Sequence, residues 1–514
     1  MGTGRVGTTW RRALPAAALA LALAAATGCD DGGTTDATPR PTAAPSAPPA
    51  SAARLCAEPA AGPAKAPEGA VAVDPAVPGD LAAKTASSPP HTTFWLRPGR
   101  HTLPSNRYDQ VIPKEGDVYL GAPGAVLDGR RSNHYAFGGS AAGITIRYLT
   151  VRGFVAPRDE GVVNHDSADG WVIEHTTIRD NSGAGLMAGS RQQVRANCLR
   201  DNGQYGMNAY KEGGVRGLVV EGNEITGNNK DDWERQRPDC GCSGGVKFWA
   251  VDGADVRGNW VHGNRGTGLW ADTNNNDFLI EGNLIEDNDG AALIYEISYN
   301  AVIRKNTIRR NNWVEGRAYA ASGDTFPFAT VYLSESGGEP RVRARTDRID
   351  VSGNVLENNW SGITLWENAD RFCNSPANTS SGDCTLLVKD IRRCAQPAIA
   401  GPPLYSDCRW KTQRVDVHGN RFVLDGSVPA CAGKCARMGV LSNYGTYPDW
   451  SPYQGERVAR AITHDQHNSW HDNVYVGPWT FVVHDASRAV GFKQWRDAPY
   501  RQDAGSTLRA KDGD

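Results

Sequence analysis

The sequence predicts an all-β chain folded as a parallel β-helix. Three observations carry that expectation: a repeat near two dozen residues, short alternating strands inside each repeat, and no sustained helical period. Six units stand out in order: "LVVEGNEITGN", "ADVRGNWVHGN", "FLIEGNLIEDN", "AVIRKNTIRRN", "IDVSGNVLENN" and "VDVHGNRFVLD". Each is a short strand, then Gly-Asn or Lys-Asn, then a second short strand, usually closed by another Asn. The first asparagines are Asn223, Asn259, Asn283, Asn306, Asn354 and Asn420; Asn259 to Asn283 spans 24 residues and Asn283 to Asn306 spans 23. Coils of that length stack strand on strand along a solenoid. A leucine-rich horseshoe has a similar period but needs a leucine frame that is absent.

Asparagine is the non-glycine residue that best tolerates a left-handed turn. The expectation is therefore that each repeat asparagine itself takes the left-handed conformation and bends the chain, and that stacked asparagines hydrogen-bond along the axis.

These repeats resemble the right-handed parallel β-helix proteins of the pectin-lyase-like superfamily, over roughly residues 90 to 490. "FWLRPGRHTL" through "VYLGAPGAVLDG" looks like the opening of such a solenoid. The resemblance implies fold rather than chemistry. The sequence has no Asp-Asp pair with Gly-His-Gly of the polygalacturonase type, no pectate-lyase signature and no Asp-Pro-His-Asp of the alginate-epimerase type. No catalytic residue carries over from a family.

Outside the repeats, Arg5, Arg11 and Arg12 precede the apolar run "ALPAAALALALAAA", which is too short for a typical membrane span and reads as an export signal. It ends in "ATGC", and small residues running into Cys29 resemble the lipobox of bacterial lipoproteins. That implies lipidation of Cys29 and anchorage on the extracellular face of the cell membrane, with plain secretion as the alternative. Arg11-Arg12 hints at twin-arginine export. Residues 29–55, rich in Pro, Ala and Thr, read as a disordered tether. The expected organisation is thus a signal peptide at 1–28, the tether at 29–55, an N-terminal extension at 56–90, the β-helix at 91–490 and a tail at 491–514. A formal charge of −2 over 514 residues, which becomes −5 without the three arginines, gives no reason to expect a nucleic-acid partner, and a monomer is expected.

Ten cysteines follow Cys29, an even number suited to disulfides in an oxidising compartment. Cys373 with Cys384, Cys394 with Cys408, and Cys431 with Cys435 are expected local staples. The rival zinc reading of "CGC" at Cys240 and Cys242 and "CAGKC" at Cys431 lacks the partnered spacing of structural zinc.

Counting back from the turns aligns "VVNHD" (162–166), "LMAGS", "MNAYK", "VKFWA", "LWADT", "LIYEI", "VYLSE" and "ITLWE" (363–367). The first column, from Val162 and Leu186 to Ile363, is apolar and points inward, as does the third. The fourth column faces out and reads His165, Gly189, Tyr210, Trp249, Asp272, Glu296, Ser334 and Trp366. Beside it stand Asn208, Lys247, Trp270, Ile294 and Tyr332.

Glu296 therefore stacks on Asp272, one turn away, with neighbouring strands about 4.8 Å apart. Like charges so placed raise one pKa and leave a proton donor beside an ionised carboxylate, the division of labour that glycoside hydrolysis requires. Lys247 can reach the pair, and Trp249, Trp270, Tyr210, Tyr332 and Trp366, with His165, are the candidate sugar-binding residues. The expected site is an open wall of the solenoid. The leading expectation is an exported glycoside hydrolase acting on a polysaccharide through Asp272 and Glu296. The alternatives are a polysaccharide lyase with Lys247 as base and a non-catalytic glycan- or protein-binding β-helix. In the bland reading the carboxylates are solvated, Lys247 only neutralises them, and the aromatics pack beneath the insertions at 228–244 and 312–328. No cofactor is required. Asp277 and the asparagines of "ADTNNND" offer oxygen ligands for Ca²⁺, but the spacing is not that of an EF-hand and a polar loop is the simpler reading.

Overall fold

The computed structural model describes residues 54–237, 243–378, 383–426, 431 and 433–510. The expected signal peptide, Cys29, nearly all of the tether, and Cys240 and Cys242 lie outside the described residues. The chain forms a right-handed parallel β-helix with three long sheets of 13, 13 and 11 strands. One coil shows the plan. Asn276–Glu281 lies in the first sheet, Leu284–Glu286 in the second and Leu293–Glu296 in the third, before Ala301–Arg304 returns to the first. Strands pair in parallel with their counterparts one coil away, as Leu269 does with Leu293 and Ile280 with Ile303, apart from Ala489–Val490, which closes the third sheet antiparallel to Thr480–His484.

The turns correct one expectation. The left-handed residue is the one before each asparagine: Gly258, Gly282, Lys305, Gly353 and Gly419 have φ between 55° and 65°. The asparagine follows with its side chain turned into the stack. Oδ1 of Asn283 accepts both the backbone N–H and the side-chain amide of Asn259 at 2.9 Å, while its own Nδ2 donates to Val256 O and to Asn306 Oδ1, each at 2.9 Å. All of the amide's polar capacity is thereby used inside the wall, which is why these buried side chains carry no desolvation penalty. A second ladder runs through Asn202, Asn228, Asn264, Asn288, Asn311 and Asn359.

Alternation along the third sheet sends one set of side chains into the bore. Val246, Leu269, Leu293, Val331 and Ile363, with Phe248, Ala271, Tyr295, Leu333 and Leu365, are at most 1% exposed. At about 25 cal/mol per Å² of apolar surface removed from water, this continuous column is the main stabilising contribution to coil stacking. Val71–Val73 adds a strand to the first sheet and Thr507–Arg509 one to the second, so the sheets take in residues on both sides of the expected 91–490 span. Cys56 bonds to Cys198, tying the N-terminal extension to the solenoid. The three expected local disulfides, Cys373–Cys384, Cys394–Cys408 and Cys431–Cys435, are present. Among the described residues no helix is long and apolar enough to cross a membrane.

Candidate functional site

Three consecutive strands of the third sheet build the site: Gly244–Trp249, Thr267–Asp272 and Leu293–Glu296. Their register places Lys247 beside Trp270 and Ile294, and Trp249 beside Asp272, Glu296, Ser334 and Trp366 in turn. Asp272 and Glu296 are thus direct cross-strand neighbours on the outward side of one sheet.

The pair is held by named donors. Lys247 Nζ lies 2.9 Å from Asp272 Oδ2, and the Thr273 hydroxyl donates to Oδ1 at 2.8 Å. The Lys247 ammonium also sits 4.2 Å from the centre of the Trp270 ring. Trp270 Nε1 donates to Glu296 Oε2 at 3.2 Å, so the indole bridges the cation of one acid to the carboxylate of the other. Arg371 donates to Glu296 Oε1 at 2.9 Å and reaches Glu335 at 3.5 Å. Burial pushes the Glu296 carboxyl up to about 7, with the charges of Asp272 and Glu335 acting in the same direction and Arg371 opposing. Glu335 is raised too, chiefly by burial. Asp383 is raised to about 6 by burial and by the charge of Asp272.

The expectation of an open wall is overturned. Asp272 is 5% exposed, Glu296 7% and Lys247 8%. The cover is formed by the described residues of the segment 368–412, which follows the strand Ile363–Glu367. It has an apolar core of its own, in which Phe372, Val388, Ile399 and Trp410 pack with Ile297 and Tyr299 of the solenoid. Polar contacts fasten it further: Asn274 Nδ2 donates to Cys384 O at 2.8 Å, and Trp410 Nε1 to Asn274 Oδ1 at 3.1 Å. Arg371 and Asp383 ride in on this segment. A second insertion, with the helix Trp313–Ala321, packs on the strand Ile363–Glu367 of the same sheet, where Thr364 Oγ1 donates to Pro327 O at 2.9 Å.

Backbone strain marks the same edge. Thr273 and Ile297, the residues directly after Asp272 and Glu296, have φ of 54° and 50°. Left-handed conformations are rare for β-branched residues and cost about 1–3 kcal/mol each; the corner itself recurs from coil to coil, as at Ala250 with φ 50°. Glu335 occupies the equivalent corner one coil on, with φ 46°. That corner turns its carboxylate toward Arg371 and out of line with the outward column, so alternation alone could not find it.

The remaining candidates divide. Trp249, Trp270, Ile294, Tyr332 and Trp366 are half-buried and Tyr210 is exposed, giving an apolar strip beside the acids. Tyr210 packs edge-on to Trp249 with ring centres 6.4 Å apart. Phe326 of the second insertion lies edge-on to Tyr332 and Trp366, at 6.2 and 5.2 Å, so those two rings are partly covered as the packing alternative required. His165 is not brought to the pair. Val163, not Val162, pairs with Leu186, one residue out of the counted register, and Asn164, left-handed at φ 54°, ends the strand before His165. His165 instead stacks on Tyr135, ring centres 3.5 Å apart, several coils away.

Asp277 Oδ1 accepts the backbone N–H and Nε of Arg345 at 2.8 Å, and the Oδ1 atoms of Asn274, Asn275 and Asn276 accept from Trp410 Nε1, Val251 N and Asn300 Nδ2, so each of these loop oxygens is engaged by a different donor of the protein. Cys373, Cys384 and Cys394 have sulfurs within 4.8 Å of one another, a grouping with the spacing of metal ligands. All three are bound in disulfides, which leaves no thiolate to ligate a metal.

Residues 160–371 match the family described as right handed beta helix region. No curated protein matches. The solved structures to which the chain is similar include the catalytic unit of a thermostable GH87 alpha-1,3-glucanase from Streptomyces thermodiastaticus strain HF3-3, at 11% identity and TM-score 0.40, covering 88% of this chain and 69% of that one. The Azotobacter vinelandii mannuronan C-5 epimerase AlgE6 A-module is similar at 13% identity and TM-score 0.39, covering 67% of this chain and 88% of that one. Pectate lyase Pel9A is similar at 12% identity and TM-score 0.32, covering 56% of this chain and 69% of that one. The family match over 160–371 agrees with the three-sheet coil described above, and a right-handed parallel β-helix is what this chain is.

Proposed function

We propose that the protein is an exported carbohydrate-active enzyme that hydrolyses a polysaccharide, with Glu296 as proton donor and Asp272 as the ionised carboxylate. The observation that carries this reading is the cross-strand pairing of Asp272 with Glu296 in two unlike settings. Asp272 meets an ammonium and a hydroxyl, while Glu296 is pushed up to about 7. Two carboxyl groups so divided are the working parts of glycoside hydrolysis.

In the reaction, Glu296 protonates the oxygen of the glycosidic bond as that bond breaks, and Asp272 attacks the anomeric carbon. Ionised Glu296 then takes a proton from water, which displaces Asp272 and returns both groups to their starting state. A strand spacing of about 4.8 Å fits the retaining geometry, in which the carboxyl groups stand about 5–5.5 Å apart. Lys247 is engaged as a cation, with Asp272 and with the Trp270 ring, which suits orientation and charge balance better than proton abstraction.

Export and lipidation at Cys29 rest on the N-terminal sequence, and the four described disulfides suit an oxidising compartment. We take the working state to be a membrane-tethered or secreted monomer.

Reducing-end release from a polysaccharide panel by wild type, Asp272→Asn and Glu296→Gln tests the assignment. Loss of at least 10²-fold in both variants is expected, and equal activity in all three would sink it. A second reading, glycan binding without turnover, is favoured by the near-complete burial of the pair and by a donor on every one of its carboxylate oxygens. Binding that survives the double substitution, with no product formed, would select it.

A further inference from the structure

We infer that the polysaccharide taken by this site is built of uncharged sugars rather than of uronates or sulfated sugars. The inference deepens the hydrolase reading and rests on it. Recognition of a sugar carboxylate or sulfate calls for Arg or Lys presented to the ligand, because desolvating an anion without a cation or several N–H donors is strongly unfavourable.

The cations at this site are committed to the protein. Lys247 lies against Asp272 at 2.9 Å and over the Trp270 ring at 4.2 Å, and Arg371 bridges Glu296 at 2.9 Å and Glu335 at 3.5 Å. Among the described residues these are the ion pairs that the three acids make. Both carboxylates are met through Nη1 of Arg371, and its Nε is sealed from solvent. The other buried cation of the cover, Arg409, is likewise paired, with Glu367 at 2.9 Å.

The acids do not leave a large negative excess either. Asp272, Glu296, Glu335 and Asp383 face two cations, and burial biases three of the four toward their protonated forms. The cluster is close to neutral as a whole. What it offers a ligand is the half-buried strip of Trp249, Trp270, Ile294 and Tyr332, a surface of rings and one aliphatic chain. Such a surface suits the C–H faces of neutral sugar rings and gives no partner to an anionic substituent.

The test is affinity electrophoresis of the full chain through gels containing neutral glycans (β-glucan, α-glucan, xylan, mannan) or polyuronates (polygalacturonate, alginate), alongside product release from each. Glu296→Gln serves for binding without turnover. Retardation on a neutral glycan and none on polyuronates is expected, with Trp270→Ala losing the retardation. Ile294→Lys, which sets a new ammonium in the strip, is expected to gain polyuronate retardation that wild type lacks. Turnover of a polyuronate by wild type, abolished in Asp272→Asn, would overturn the substrate class and leave the hydrolytic pair standing. Neutral-glycan retardation with no product, unchanged in Asp272→Asn, would support the substrate class and overturn the hydrolytic pair. No retardation on any glycan would overturn both.

Discussion

Arg371 donates to Glu296 at 2.9 Å from a point 75 residues further along the chain, so the cover and the solenoid share one buried ion pair. Both side chains are under a tenth exposed. Removing the cation strands two carboxyl groups, Glu296 and Glu335, in a dry setting. Breaking a buried pair from one side typically costs about 3–5 kcal/mol. Arg371→Met is therefore expected to lose stability of that order in urea unfolding at pH 7.5. Adding Glu296→Gln to it is expected to recover part of the loss. A single variant as stable as wild type would show that the pair does not hold the cover.

The raised Glu296 carboxyl fixes the sign of a pH dependence. Its pKa is about 7 folded against an ordinary 4.5. Between those values the folded chain keeps a proton that the unfolded chain gives up, so stability falls as pH rises from about 4.5 to about 7 and levels off above. The fall is on the order of 3 kcal/mol for this group alone. Asp383, raised to about 6, adds in the same direction, so the informative quantity is the difference between wild type and Glu296→Gln. Urea midpoints at pH 4.5, 5.5, 6.5 and 7.5 should converge toward low pH and separate toward neutral, the variant being the flatter. Activity that depends on a protonated Glu296 should decline through the same midpoint near 7. Parallel profiles in the two proteins would contradict the assignment.

The turns separate backbone from side-chain roles. At Gly282, φ is 65° and an added Cβ meets nothing within 4 Å, so Gly282→Ala bears only conformational strain, about 1–2 kcal/mol. Asn283→Ala removes the acceptor for two donors of Asn259 and the donor to Val256 O. At about 1–3 kcal/mol for each buried group left unsatisfied, the loss should exceed 3 kcal/mol. Thermal unfolding of the two variants should rank Asn283→Ala well below Gly282→Ala. The reverse order would mean that asparagine's value here is its backbone conformation.

That contrast also marks how far the sequence was legible. Period and alternation gave the parallel β-helix and the stacking of Glu296 on Asp272, because both depend on local spacing that every repeat restates. The asparagine ladder was readable as a stack but not as a division of labour between Gly282 and Asn283, since either residue can adopt a left-handed turn. The burial of the pair was not legible. Arg371, Asp383 and the apolar core around Ile297 come from a 45-residue departure from the repeat, and a non-repeating segment carries no register from which its position could be counted. Glu335 was missed for a smaller reason, its place on a corner where alternation stops. His165 was misplaced because its strand pairs one residue out of the counted register, Val163 rather than Val162 meeting Leu186.

Ile297 joins these two halves of the molecule. It follows Glu296, is 2% exposed, and packs into the core of the cover while its backbone sits at φ 50°. Elsewhere in a strand edge, glycine is the poorer residue, because it loses more freedom on folding. Here Ile297→Ala removes the anchoring side chain and retains the left-handed strain, whereas Ile297→Gly removes the anchor and relieves the strain. Deleting the buried side chain should cost about 2–5 kcal/mol in either variant, and relief of the strain should return about 1 kcal/mol to the glycine variant alone. Ile297→Gly is thus expected to be the more stable of the two in urea. Both should also open the segment 368–412 to limited proteolysis under conditions where the solenoid core stays intact. If alanine proves the more stable, the strain at this corner is not real. If cleavage appears only on global unfolding, the cover is part of the solenoid's own cooperative unit.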